Sequence, residues 1–114
     1  MCHVLIIEDE MIAAFDIQGT LRPAGATSFA FADTEREAMV QARDRRPDVI
    51  VSDFMLANGS GREAVRAIRA ELGAIPVIFV TAVPDQLDGA DAPVVEKPFG
   101  QARLSALFRE VAPA

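Results

Sequence analysis

Five short runs of β-type residues, Val4–Ile7, Ser28–Ala32, Val49–Val51, Val77–Val80 and Val94–Val95, are separated by segments whose apolar residues recur at helical steps. Strand and helix in alternation favour right-handed βαβ units and a parallel sheet with helices on both faces. Runs as apolar as Leu5–Ile7 fit such a sheet, because its strands are covered on both sides. Met11, Ala14, Phe15, Ile17 and Leu21 predict the buried face of a first helix, ended by Pro23. Thr34 and Glu37 have capping-box spacing and open a second, which closes on Arg45, Arg46 and Pro47. Ser60 caps a third, bearing Val65, Ile68 and Leu72 and stopped by Gly73, and Leu104, Leu107, Phe108 and Val111 mark the last. One unit breaks the rhythm. The stretch "TAVPDQLDGADAP" between the fourth and fifth strands carries Pro84, Gly89 and Pro93, and at most one helical turn fits there. At 114 residues, with neither a repeat nor a Ser/Gly linker, residues 1–114 are expected to form one domain.

Composition narrows the function classes. A chain that is 51% hydrophobic and 25% charged has the makings of a packed core. A formal charge of -6 opposes phosphate-backbone binding, and the absence of Trp and Tyr removes the best base-stacking platforms, so no nucleic-acid partner is expected. Cys2 is the single cysteine and can form no internal disulfide, and the first strand starts too early to leave room for a signal peptide. The longest apolar stretch, around Ile75–Val83, is far short of the ~20 residues that span a bilayer. A soluble cytoplasmic protein without a membrane partner is expected.

In a parallel sheet the C-terminal strand ends share one edge, where ligands of open α/β sheets bind. Here that edge would receive Glu8 and Asp9 from "LIIEDE", then Asp53, Thr81 and Lys97. Three carboxylates suit Mg²⁺, which takes octahedral oxygen ligation, keeps several waters and accepts a phosphate oxygen. Asp53 can then act as a nucleophile toward a phosphoryl group. Mg²⁺, the Lys97 ammonium and the Thr81 hydroxyl would meet the charge on the equatorial oxygens.

Together "IIEDE", "VIVSDFML", "VIFVTA" and "EKPF" resemble the receiver domain of two-component response regulators over nearly the whole chain. That resemblance implies a doubly wound five-stranded sheet of flavodoxin-like order 2-1-3-4-5, with the fourth helix short or absent. It implies Asp53 as phosphoacceptor, Thr81 as switch hydroxyl and Lys97 beside the phosphoryl group. It further implies Mg²⁺ on Asp9, Asp53 and the Met55 main-chain carbonyl, with Glu8 acting through water, and a cis Lys97–Pro98 bond. Gly61 stands at the family's spacing after Asp53, and Ala82 would leave the phosphoryl site open. Leu56 and Ala57 occupy positions where the family often has Met-Pro, and Val94 one where many members carry Tyr or Phe. The shortened fourth helix resembles an alphaproteobacterial subgroup, some of whose members are fused to anti-anti-sigma-type stress regulators. The expected partners are a sensor histidine kinase or histidine phosphotransferase and a downstream protein target. The chain would catalyse only its own phosphorylation and dephosphorylation, and Mg²⁺ with the phosphoryl group is expected to order residues 82–93.

Simpler readings compete. Glu8, Asp9 and Glu10 could merely favour a helix N-terminus, Asp53 could be a turn residue before Asn58 and Gly59, and Thr81 and Lys97 could be ordinary surface groups. Cys2 and His3 are adjacent in a strand and point to opposite faces, so they are expected to be structural. A haloacid-dehalogenase-type phosphatase would need Asp-x-Asp after the first strand, where this chain has Glu8, Asp9 and Glu10. The alternative is a pseudo-receiver that binds protein without phosphorylation, although such a domain is expected to lose the acceptor, the lysine or the acidic pair.

Overall fold

The computed structural model describes residues 1–82 and 92–113. Its elements are β1 (His3–Ile7), α1 (Met11–Leu21), β2 (Ser28–Ala32), α2 (Glu35–Asp44), β3 (Val49–Asp53), β4 (Met55–Leu56), β5 (Gly59–Ser60), α3 (Gly61–Leu72), β6 (Val77–Thr81), β7 (Val94–Glu96) and α4 (Gln101–Val111). Five strands form one sheet in the order β2-β1-β3-β6-β7, every pair parallel. Counting only those five, this is the expected 2-1-3-4-5 order. The single turn expected between β6 and β7, and the ordering expected of that segment, fall on residues 83–91, outside the described residues.

Strand alternation divides the core in two. Val4, Ile6, Val49, Val51, Ile78 and Val80 meet Ile17 and Leu21 of α1 and Leu104 and Phe108 of α4. Leu5, Ile7, Ile50, Val77 and Phe79 meet Ala38 and Ala42 of α2 and Val65 and Ile68 of α3 on the other face. The cap signals act as read. Thr34 Oγ1 accepts from Glu37 N–H at 3.1 Å, Ser60 Oγ accepts from Glu63 N–H at 3.3 Å, and Gly73 closes α3 at φ 102°. The Glu37 carboxylate turns to Gln41 instead, accepting from its side-chain amide at 2.8 Å.

The first helix corrects the sequence reading. Ala14, Ile17 and Leu21 are buried, but Met11 and Phe15 stand 70% and 58% exposed. Buried Thr20, Ile17, Leu21 and Ala14 set the face turned to the sheet, and at about 100° per residue Met11 and Phe15 fall beyond Ala14 on the flank of that face.

β4 and β5 form a small antiparallel hairpin, Met55 opposite Ser60 and Leu56 opposite Gly59. Gly59 takes φ 124°, a conformation natural to glycine at a hairpin turn. Buried Leu56, and the Glu35 carboxylate accepting from Ser60 N–H at 2.9 Å, tie the hairpin to the body. At Gly61 a Cβ would overlap the Asp53 carbonyl oxygen and lie 2.5 Å from Ser52 Oγ. Only glycine lets α3 start against the end of β3. Gly61→Ala should therefore destabilise the fold by about 1–3 kcal/mol, as overpacking against backbone does, which urea denaturation would measure.

The opposite sheet edge carries the chain's single histidine. His3 is buried, with Nδ1 2.8 Å from Ser28 Oγ, its main-chain N–H donating to Asp48 Oδ2 at 2.8 Å, and Nε2 without a hydrogen-bond partner among the described residues. Burial, then Arg45, hold its pKa below the ordinary 6.5 against the pull of Asp48. The unfolded imidazole thus takes up a proton that the folded one refuses, so this contribution to stability is whole above about pH 6.5 and shrinks as pH falls below it. Imidazole NMR should give a titration midpoint under 6.5. The difference in unfolding free energy between the parent and His3→Gln, in which other groups cancel, should narrow from about pH 7 to 5.

Candidate functional site

β1 and β3 are neighbours in the sheet, but the chain leaves them in different directions, β1 toward α1 and β3 toward α3. Their C-terminal ends flank the crevice created where the winding reverses. Glu8 follows β1 and is held in sheet register by its N–H donating to the Ala32 carbonyl at 2.9 Å, while Asp53 is the last residue of β3. Carboxylate oxygens of Glu8, Asp9 and Asp53 all lie within 4.8 Å of one another.

Lys97 reaches this group from the other side of the sheet. After β7, its main-chain N–H donates to the Thr81 carbonyl at 2.7 Å, and its peptide bond to Pro98 is cis. Its ammonium is in direct contact with Glu8 Oε1 and donates to Asp53 Oδ2 at 3.2 Å. The cluster is graded in exposure: Glu8 is buried, Asp53 half-buried and Asp9 exposed. Burial pushes the Glu8 pKa up to about 7, and the neighbouring Asp53 adds to that rise while the Lys97 ammonium opposes it. Burial works against the charge on Lys97, yet Glu8 and Asp53 together hold its pKa above the ordinary lysine value.

The remaining residues take up supporting positions. Asp9 Oδ2 accepts the Ala57 N–H, fastening the β4–β5 hairpin to the acidic pair, and Asp53 Oδ1 accepts from Met55 N–H at 3.4 Å. Ser52 Oγ donates to the Asp53 carbonyl at 2.8 Å, which fixes the turn behind the carboxylate. Thr81 is buried at the end of β6, beside the Asp53 strand, and exposed Ala82 follows it. Val94 is half-buried and packs into the core. Glu8, Asp9 and Glu10 immediately precede α1 and so also lie near its positive end. Glu10 is the N-cap of α1 but makes no side-chain capping bond, and α1 has no acidic residue in its first turn.

The hairpin and the Asp9–Ala57 tie were missed by sequence reasoning. Asn58-Gly59 was the available signal, because that pair favours tight hairpin turns.

The donor set fits a hard divalent ion. Glu8, Asp9 and Asp53 each turn one carboxylate oxygen into the same small space, within 4.8 Å of one another, the hard oxygen donors that Mg²⁺ takes directly or through its waters. One ammonium cannot offset three carboxylates, so an added cation relieves the repulsion, and Glu8, Asp9 and Asp53 could hold it.

The comparisons agree with this geometry. Residues 4–109 match the model of the response regulator receiver domain. The chain is 34% identical over 114 residues to the phyllosphere-induced regulator PhyR of Methylorubrum extorquens, covering 95% of this chain and 42% of that protein. It is 34% identical to the KDP operon transcriptional regulatory protein KdpE of Escherichia coli, covering 96% of this chain and 50% of the other. The solution structure of the Erythrobacter litoralis PhyR receiver domain superposes with a TM-score of 0.86 at 29% identity, covering 99% of this chain and 95% of that one. The chain spans about half the length of the curated relatives it matches. With residues 4–109 matched to that family and relatives 34% identical along nearly its whole length, the chain belongs to the response regulator receiver domains.

Proposed function

We propose that residues 1–114 act as one phosphoacceptor unit of a two-component phosphorelay, taking a phosphoryl group onto Asp53. The observation that carries this reading is the Lys97 ammonium set between Glu8 and Asp53 within the carboxylate cluster. An Asp53 carboxylate oxygen forms the bond to phosphorus as the bond from phosphorus to an imidazole nitrogen of a histidine kinase or histidine phosphotransferase breaks. Lys97 turns from Asp53 toward the new phosphoryl oxygens, and the Thr81 hydroxyl meets another. Asp9, Asp53 and the Met55 carbonyl would hold Mg²⁺, with Glu8 acting through water. The ion would supply positive charge to the transferring oxygens. Similarity to a structure named as the anti-anti-sigma factor PhyR from Bartonella quintana, 36% identical with a TM-score of 0.85, supports protein binding as the output and stress signalling as the setting. A cytoplasmic location suits that role, and no helix among the described residues is long and apolar enough to cross a membrane.

Incubation with Mg²⁺ and acetyl phosphate should add the mass of one phosphoryl group, and Asp53→Asn should abolish the gain. A stable adduct on another residue of that variant would refute the assignment, and an unmodified parent would favour the protein-binding pseudo-receiver.

Ion binding requires an ionised Glu8, whose carboxyl holds its proton up to about pH 7. Mg²⁺ affinity measured by calorimetry should therefore climb with pH, by up to about tenfold per unit below that point, and level off above it. In Glu8→Gln the climb should flatten.

A further inference from the structure

The phosphoacceptor reading leaves three large apolar side chains unexplained. Met11 and Phe15 on α1 and Phe31 at the end of β2 are 70%, 58% and 38% exposed. They sit together: Phe15 and Phe31 meet edge to face with ring centroids 6.4 Å apart. All three line a cleft of about 460 Å³ between α1, the end of β2 and the start of α2. Its rim carries Asp9, Asp33 and Glu37, with Glu8 at its inner end, and among the described residues no Lys, Arg or His lines it. A separate cleft of about 370 Å³ lies along the other side of α1, lined by Ile12 and Asp16 and reaching Lys97 and Phe99.

Apolar surface grouped this way on a well-packed domain marks an interaction site, and the rim selects the partner. Carboxylates around an aromatic floor suit a group that is planar, cationic and weakly hydrated. A guanidinium meets all three requirements, because it forks onto carboxylates and stacks on aromatic rings, while an ammonium ion is more strongly hydrated and lacks the plane. The same carboxylates would repel an anionic lipid surface. A twofold pair of copies would set two acidic rims face to face.

We propose that the cleft of Met11, Phe15 and Phe31 docks an arginine flanked by aliphatic residues on a partner protein. The guanidinium lies over the Phe15 and Phe31 rings and reaches Asp33 and Glu37, while the flanking aliphatic groups cover Met11. The cleft meets the Lys97 site at Glu8, but Met11, Phe15 and Phe31 do not line the cleft of Ile12 and Asp16, so a protein docked on them leaves the approach along Ile12 and Asp16 open. The claim needs no phosphorylation and stands apart from the role of Asp53.

The test is an amide-resolved NMR titration of the full chain, in EDTA, with the peptide acetyl-Leu-Arg-Leu-amide and with its citrulline counterpart, which keeps the shape and removes the charge. The arginine peptide should shift the amides of Met11, Phe15, Phe31 and Asp33, and bind roughly tenfold more tightly than the citrulline peptide, the margin of a charge-assisted, ring-stacked contact. The double variant Asp33→Asn/Glu37→Gln should lose most of that margin and Phe15→Ser most of the binding, with both spectra otherwise intact. Equal binding of the two peptides, shifts centred elsewhere, or no binding would overturn the proposal. Sedimentation supplies a second check: self-association abolished by Phe15→Ser would assign the face to a second copy of the chain and overturn the arginine assignment.

Discussion

Mutual repulsion of Glu8, Asp9 and Asp53 is the constraint around which the C-terminal edge of this domain is organised. In water such groups would separate. Here each is anchored to a strand or strand end that the core holds still: Val4–Ile7 and Val49–Val51 are almost wholly buried, and they pair in parallel register from Val4 opposite Val49 to Ile7 opposite Ser52. The hydrophobic packing of two helix layers therefore holds three like charges within 4.8 Å. The protein relieves part of the strain with Lys97 and part by letting the buried Glu8 keep its proton up to about pH 7. What remains is an edge disposed to receive positive charge, held ready by the packing of the core.

The two ends of β1 illustrate how position in a parallel sheet sets electrostatic behaviour. At its start His3 is buried, with Nε2 unpartnered among the described residues, and burial drives its pKa down. Just beyond its end Glu8 is buried beside another carboxylate, and burial drives its pKa up. Both shifts disfavour charge in a poorly solvated place. Only the Glu8 end adds a lysine and two more carboxylates, so the same physical cause gives a structural residue at one edge and a chemical cluster at the other. Burial alone does not mark a site; burial together with a convergent charged partner does.

The helix α1 serves two masters. Its Ala14, Ile17 and Leu21 close one half of the core, while Met11, Ile12 and Phe15 lie on faces turned away from the sheet and meet solvent. Periodicity placed Met11 and Phe15 with Ala14, Ile17 and Leu21 because spacing reports which residues share a helix face. It is silent on how wide an arc of the helix the opposing layer covers. The same limit applies to the hairpin of Met55–Leu56 and Gly59–Ser60, which is held less by its own two-residue strands than by Asp9 and Glu35 reaching in from other elements.

By itself the sequence determined the strand and helix alternation, the parallel sheet with two covered faces, the caps at Thr34, Ser60 and Gly73, and the list of Glu8, Asp9, Asp53, Thr81 and Lys97 as strand-end residues. These follow from local patterns: period, capping chemistry, and the switch from apolar to charged at a strand's end. Only the tertiary structure decided that Lys97 touches Glu8 and reaches Asp53 from more than forty residues away, that Asp9 secures Ala57, and that Gly61 must lack a side chain because the Asp53 carbonyl fills its place. Each of these depends on the relative placement of separate elements, fixed by how the two core layers fill space, and no pattern within a single segment encodes a distance to another.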